Sequence, residues 1–267
     1  MVDLYNIRNL KELCDEHKLI PSKKYGQSFL ITPKPIEKML EAGAINKKDF
    51  VVEVGPGFGP LTFSLADKVK KVLSFEIEKR LVEYWGEYKP KNVEIVFGDV
   101  LKTFDNYKLP NKYKFIANLP YQITSKIIRN FLESDNQPEK MVLMVQREVA
   151  ERICAKPGSM SILAVSVQYY GDPKLIYKVP STNFWPEPKV NSAVILIDNI
   201  AKRNNKNFDK MFFKVVKQGF ANKRKKLINN LKSFKNIGVI FDSLKLDKNI
   251  RAQELSVEQW EEMVKKI

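Results

Sequence analysis

Apolar residues recur along this chain in two rhythms, and the balance between them shifts once. From residue 33 to about residue 145, short apolar runs of strand length alternate with stretches whose apolar positions repeat every three or four residues. The runs at 50–54, 71–75, 93–97, 114–117 and 141–145 read as strands, and 61–67, 79–88 and 125–132 as helices between them. An earlier helix runs through Ile36, Met39 and Leu40, opened by Pro33-Lys34-Pro35, where proline is tolerated in the first turn. Such alternation predicts a parallel sheet with helices on both faces. Two further helices follow at 147–154 and 161–169, then strands at 175–179 and 193–197. The last two strands are joined only by a proline-containing stretch, 181–191, so antiparallel pairing at the sheet edge is expected. Beyond Asp198 the rhythm is helical throughout, and Ser256 with Gln259 marks a capping box for the final helix. The chain therefore divides into an α/β domain over 1–198 and a small all-helical domain over 199–267.

The 267 residues, with 44% apolar and 11% aromatic content, suit a folded globular protein. No apolar run approaches the roughly 18 residues of a membrane span, and 1–18 lacks a signal-peptide core. A soluble cytoplasmic protein with no membrane partner is expected, and nothing suggests more than a monomer. His17 is the single histidine, which excludes multi-histidine metal sites and leaves no other residue for a histidine-assisted nucleophile. It follows Leu10 and Leu13 and reads as a half-exposed helix-end residue. Cys14 and Cys154 are far apart and form no metal or redox pair, in keeping with a reducing compartment. No metal cofactor is expected.

Charge adds the first positive signal. Of a net +15, the stretch 201–235 carries +11, from twelve basic residues against one acid, Asp209. Apolar residues interrupt the charges at helical spacing (Phe212, Val215, Val216, Phe220), so a helical surface backed by a core is predicted. Such a surface suits a polyanion, because each neutralised phosphate releases counterions.

Glu53-Val54-Gly55-Pro56-Gly57-Phe58-Gly59 follows the first sheet strand and opens a helix. Its glycines permit a tight turn and the close approach of a ligand. The spacing is not that of a dinucleotide fingerprint, and the Glu53 carboxylate would repel a pyrophosphate while welcoming a cation. Glu76 ends the second strand, where a carboxylate accepts ribose hydroxyls, and Asp99 follows the third, where it accepts an adenine amino group. Three strand-end acids around a glycine loop describe a site for S-adenosyl-L-methionine, with S-adenosyl-L-homocysteine as product.

The fourth strand runs into Asn118-Leu119-Pro120-Tyr121. An adenine amino group is planar, its lone pair drawn into the ring, and is a poor nucleophile. Two fixed acceptors, the Asn118 side-chain carbonyl and the Leu119 backbone carbonyl, suit the task of holding its hydrogens and favouring a tetrahedral nitrogen. Pro120 stiffens the turn, and Tyr121 offers a face for a base taken out of its stack.

These residues resemble the small-subunit ribosomal RNA adenine dimethyltransferase family, and the resemblance runs nearly end to end. Lys23-Lys24-Tyr25-Gly26-Gln27-Ser28-Phe29-Leu30 is similar to the family's GQNFL segment, with Ser28 in place of Asn. Asn183-Phe184-Trp185-Pro186-Glu187-Pro188-Lys189-Val190-Asn191-Ser192 resembles its NFxPxPxVxS loop. Phe220-Ala221-Asn222-Lys223-Arg224-Lys225-Lys226 resembles its FxxRRK element, and Arg251-Ala252-Gln253-Glu254-Leu255 its RxxxL signature.

The resemblance implies a class I methyltransferase fold, Rossmann-like, with a seven-stranded mostly parallel sheet. It implies cofactor contacts at Gln27, Ser28, Leu30, Glu53, Gly55, Gly57, Glu76, Asp99 and Asn118. Catalysis falls to Asn118, Leu119, Pro120 and Tyr121, with Phe184 stacking on the target base, and RNA binding to Lys223, Arg224, Lys225 and Lys226. The implied reaction is dimethylation of two adjacent adenosines near the 3′ end of 16S rRNA, in the immature 30S subunit, late in its biogenesis. Three alternatives stay open. Enzymes that dimethylate large-subunit (23S) RNA share both central motifs, DNA adenine methyltransferases use a similar tetrapeptide, and a ribosome-assembly factor would act mainly by binding.

Overall fold

A computed structural model of the protein describes residues 2–21, 28–202 and 204–267. Its contacts form two compact units, Met1–Ala150 with Lys174–Ile200, and Glu151–Pro173 with Ala201–Ile267. In the first unit, α1 (Ile7–Glu16) precedes a two-residue strand β1 (Phe29–Leu30) and α2 (Lys34–Gly43). Strands β2 (Phe50–Val54), β3 (Lys71–Glu76), β4 (Val93–Phe97) and β5 (Lys114–Asn118) follow, separated by α3 (Pro60–Ala66), α4 (Val82–Tyr88) and α5 (Val100–Thr103). Next come α6 (Thr124–Glu133), β6 (Lys140–Gln146) and α7 (Arg147–Ile153). After α8 (Ile162–Tyr170), the strands β7 (Asp172–Val179), β8 (Phe184–Trp185) and β9 (Ser192–Asp198) complete the list.

Seven of these strands form one sheet in the order β4-β3-β2-β5-β6-β9-β7. The pairs β2·β3, β3·β4, β2·β5 and β5·β6 are parallel, and β9 runs antiparallel to β6. Strand burial explains the unbroken apolar runs. Val51, Val52, Phe115 and Ile116 are fully enclosed because helices cover both sheet faces. The chain starts at β2, moves outward to β4 and returns to β5, so the direction of winding reverses between β2 and β5. Ligands settle beyond the carboxyl ends of strands at such a reversal. Parallel pairing brings the ends of β2, β3, β4 and β5, with Glu53, Glu76, Gly98 and Asn118, to that one edge.

The second unit continues with α9 (Lys206–Gly219), α10 (Leu227–Asn230), α11 (Ile237–Ser243) and α12 (Val257–Lys265). The capping box of α12 forms as the sequence indicates, Ser256 Oγ accepting from Gln259 N–H at 3.3 Å and Gln259 Oε1 from Ser256 N–H at 2.9 Å. Its core joins Phe212, Val215 and Val216 of α9 to Trp260 and Met263 of α12. Helix α8, on the amino-terminal side of a boundary at Asp198, packs in this unit. Its sequence explains why. It is apolar on nearly every face, and Tyr169 stacks on Phe212 with ring centres 4.1 Å apart.

The basic quartet departs from the helical surface that its spacing predicts. Helix α9 stops at Gly219, where an added Cβ would collide with Trp260 and come within 2.9 Å of Leu227. Residues 221–226 then form an exposed turn. The buried Asn230 ties that turn down, its Nδ2 donating to Gly219 O at 2.6 Å and to Asn222 O at 3.1 Å.

Candidate active site

A cavity of about 400 Å³ opens at the carboxyl edge of the sheet, entirely within the first unit. Its walls contain Ser28, Leu30, Glu53, Gly55, Gly57, Glu76, Asp99, Asn118, Leu119, Pro120, Tyr121 and Phe184. Every residue that the sequence assigns to cofactor or catalysis is thus in one place, apart from Gln27, which lies outside the described residues along with the rest of 22–27.

The glycine loop owes its shape to its own backbone and to aromatic props. Gly55, Gly57 and Gly59 have φ of +74°, +57° and +91°, where side chains are strained. Gly59 serves packing: a Cβ there would lie 2.6 Å from Trp85 and 2.7 Å from Phe63. At Gly55 a Cβ would sit 3.7 Å from Pro120 Cδ and 3.8 Å from Asn118 O, so the two central motifs meet at van der Waals distance. Trp85 Nε1 donates to Gly57 O at 3.0 Å and the Tyr84 hydroxyl to Phe58 O at 2.8 Å, both from α4.

Each strand-end acid has a distinct environment. Glu53 is buried, and its Oε2 accepts from the hydroxyls of Thr62 at 2.8 Å and Ser74 at 2.6 Å. Burial pushes its carboxyl up to about 7; the two hydroxyls pull the other way, and Glu76 adds to the rise. Glu76 is also buried and raised by that burial, but backbone donors restrain it. Gly57 N–H reaches its Oε2 at 3.0 Å and Glu78 N–H its Oε1 at 2.8 Å. The residue expected to hold a ribose therefore also straps the glycine loop. Asp99 is half-buried and caps α5, its Oδ1 accepting from Leu101 N–H at 3.0 Å.

The tetrapeptide continues β5 past the sheet. Leu119 N–H donates to Met144 O at 3.1 Å, which fixes the peptide, and Pro120 O accepts the Thr124 hydroxyl at 3.0 Å. Asn118 and Tyr121 stay half-buried in the cavity wall. The Tyr121 hydroxyl lies 2.6 Å from Ser192 Oγ, joining the tetrapeptide to the last residue of the proline loop. Burial raises the Tyr121 phenol, so it stays neutral across the physiological range. Phe184 is only 3% exposed and packs in the core cluster with Leu30 and Ile36 while lining the cavity.

Separate motifs in the sequence turn out to be one structure. β1 and β8 pair antiparallel, Phe29 with Trp185 and Leu30 with Phe184, and Ile31 N–H donates to Asn183 O at 2.9 Å. Sequence reasoning also missed Thr62 and Ser74, whose hydroxyls serve a buried carboxylate; their only signal was polarity inside predicted apolar elements. Ile77 is 60% exposed yet lines the cavity beside Glu76, as does Lys126, the one basic side chain among the described residues lining it. Elsewhere His17 caps α1 as expected of a helix-end residue, edge-on to Tyr84 with ring centres 5.5 Å apart. Among the described residues no group of three or more His, Cys, Asp or Glu is placed to hold a metal, and no helix is long and apolar enough to cross a membrane.

Residues 21–267 match the family described as ribosomal RNA adenine dimethylase. The chain belongs to the ribosomal RNA adenine dimethylase family. Relatives of this dimethylase named "Ribosomal RNA small subunit methyltransferase A" include one from Dehalococcoides mccartyi, 38% identical over 265 residues, covering 95% of this chain and 90% of the relative. Another, from Enterococcus faecalis, is 38% identical over 269 residues, covering 94% and 91%. Among solved structures, a dimethyladenosine transferase from Plasmodium falciparum superposes with a TM-score of 0.75 at 25% identity, covering 88% of this chain and 95% of that one. The 23S rRNA methyltransferase ErmE follows at 0.72 and 26%, covering 89% and 98%. The dimethylase thus has the class I methyltransferase fold.

Proposed function

We propose that this chain uses S-adenosyl-L-methionine to dimethylate two adjacent adenosines near the 3′ end of 16S rRNA, late in assembly of the 30S subunit, as a cytoplasmic monomer. One observation carries the reading: a single cavity is lined both by three strand-end acids around a glycine loop and by the Asn118–Tyr121 tetrapeptide. The donor set fits a cationic nucleoside. Glu53 sits near the middle of its titration at neutral pH, so a positive ligand draws it into the charged state. Glu76 accepts from Gly57 N–H on one oxygen and Glu78 N–H on the other, with Ile77 N–H as a further backbone donor, and retains a lone pair for ribose hydroxyls. Asp99 and Ile77 flank the space suited to an adenine ring. When bound, the donor supplies an electrophilic methyl carbon on a sulfonium.

The chain's own part is placement. The Asn118 side-chain oxygen and the Leu119 carbonyl accept the two amino hydrogens of the target adenine, which frees its nitrogen lone pair from the ring. Tyr121, held by Ser192, supplies aromatic surface for the extruded base, while Phe184, the expected second stacking face, is packed in the core cluster and backs the cavity wall. No covalent enzyme intermediate is involved, and the proton lost from the methylated nitrogen passes to water. Alignment and fixed dipoles account for the rate. The exposed turn with Lys223, Arg224, Lys225 and Lys226 contributes phosphate contacts.

The relatives quoted above favour the small subunit over the large one. The test is mass mapping of labelled methyl groups after incubating the protein and donor with unmethylated small and large ribosomal subunits. Two methyl groups on each of two neighbouring small-subunit adenosines are expected. Label in large-subunit RNA, or none in either, overturns the assignment.

A further inference from the structure

Parallel pairing that gathers acids at one edge of the sheet also gathers the strands' amino ends at the other. There the starts of β3 and β4 enclose a hollow of about 540 Å³ lined by Lys70, Lys71, Lys89, Lys91, Asn92 and Glu94 among others. Lys71 is answered by Glu94 at 2.6 Å. Lys70, Lys89 and Lys91 are exposed, and none has an ion pair or hydrogen bond from its ammonium among the described residues. The lysines are held together by design of the backbone: Asn92 Nδ2 donates to Ala66 O at 2.9 Å and Val69 O at 3.2 Å, so the loops before β3 and β4 sit side by side. Nearby Lys47 donates to Asp67 O at 2.6 Å, and Asp49 O accepts from Lys70 N–H at 2.9 Å and Lys71 N–H at 3.4 Å, so Asp67 and Asp49 are neighbouring acids besides Glu94. Lys114, at the start of β5, adds no free charge, since it is buried against Asp49 at 2.8 Å.

Three exposed lysines without an ion-pair partner among the described residues line one concavity, and a phosphate chain crossing it is attracted to them while releasing its own counterions. We infer that the hollow between the starts of β3 and β4 is a second phosphate-backbone contact, taking a segment of the substrate RNA remote from the adenosines being methylated. This rests on the ribosomal RNA reading above, and it deepens it: the preferred substrate is an RNA large enough to reach both edges of the sheet, not a short hairpin.

The test compares matched pairs of charge reversals, Lys89→Glu with Lys91→Glu at the hollow and Lys174→Glu with Lys178→Glu on the exposed face of β7 at the far edge of the sheet. Binding to unmethylated small ribosomal subunits is measured across a salt series, and S-adenosyl-L-methionine affinity by calorimetry. The hollow pair lowers subunit affinity at least tenfold and flattens the log–log salt slope by about two units, at roughly 0.9 per phosphate, with donor affinity unchanged. The β7 pair changes the slope by less than half as much. Equal effects from both pairs mean a general charge effect and overturn the proposal, as does an unchanged slope for the hollow pair. A loss of donor affinity in the hollow pair likewise counts against it, because the defect then reaches the cavity. Wild-type protein that transfers no methyl to the subunit overturns the underlying function instead.

Discussion

The sheet's carboxyl edge and the exposed turn of the second unit handle charge in opposite ways. At the edge, Glu53 and Glu76 are taken out of water and each is held by at least two hydrogen bonds before any ligand arrives. In the turn, Lys223 to Lys226 stand in solvent. Buried, fixed groups are little screened by salt and act on charge as it develops, whereas exposed ammonium groups act through counterion release and weaken as salt rises. Chemistry and affinity should therefore come apart in mutants and in salt.

The largest effect is expected at Asn118. Asn118→Ala removes an acceptor used by the reacting nitrogen and should lower single-turnover methyl transfer by about 10²–10³-fold, while donor affinity by calorimetry changes less than threefold. A factor that acts mainly by binding would also keep its affinity for immature subunits in this variant, and loss of that affinity would weaken that alternative. Glu76→Ala comes next. It deletes the ribose acceptor and unstraps Gly57, so donor Kd should rise by about 100-fold, in line with a lost charged hydrogen bond of roughly 1.5–3 kcal/mol. An unchanged Kd would remove Glu76 from the cofactor site.

A subtler test uses pH. Glu53 titrates near 7 in the folded protein against 4.5 for an ordinary glutamate. A raised carboxyl binds more protons folded than unfolded, so its contribution to stability falls as pH rises from 4.5 to 7, by about 3 kcal/mol at most. Glu53→Gln should accordingly raise the melting temperature at pH 8 relative to wild type and leave it unchanged near pH 4. Wild-type affinity for the cationic donor should climb between pH 6 and 8 with uptake of the ligand releasing protons, and the variant should lose that slope. The smallest effect belongs to the turn's anchor. Asn230→Ala should cost about 1–3 kcal/mol in denaturant unfolding, with RNA affinity weakened because the lysines lose their fixed base, and with donor binding intact.

Much of this was legible in the sequence. Near-continuous apolar runs separated by helical rhythm announce a sheet covered on both faces, and strand-end Glu53, Glu76, Asp99 and Asn118 are readable because parallel strands must end on one edge. Hydrogen-bond partners distant in sequence were not. Thr62 and Ser74 lie nine and 21 residues from Glu53, and no local pattern signals that their hydroxyls converge on it. The β1·β8 pairing joins two-residue strands, too short for any periodicity to register. The apolar neighbours of the basic turn keep helical spacing, so the sequence predicts helix there, while the close packing of Gly219 on Trp260, 41 positions away, leaves no local signal. Chain order puts helix α8 with the first domain, although an all-round apolar helix needs partners on every side and finds them in the second unit.

The most direct measurement pairs two variants in one experiment, recording RNA affinity and the single-turnover rate at saturating RNA. Asn118→Ala should keep affinity and lose rate; Lys223→Ala with Arg224→Ala and Lys225→Ala should lose affinity, flatten the salt slope by about three units, and keep the saturated rate. If either variant lost both properties together, the division between a buried chemical site and an exposed binding turn would be contradicted.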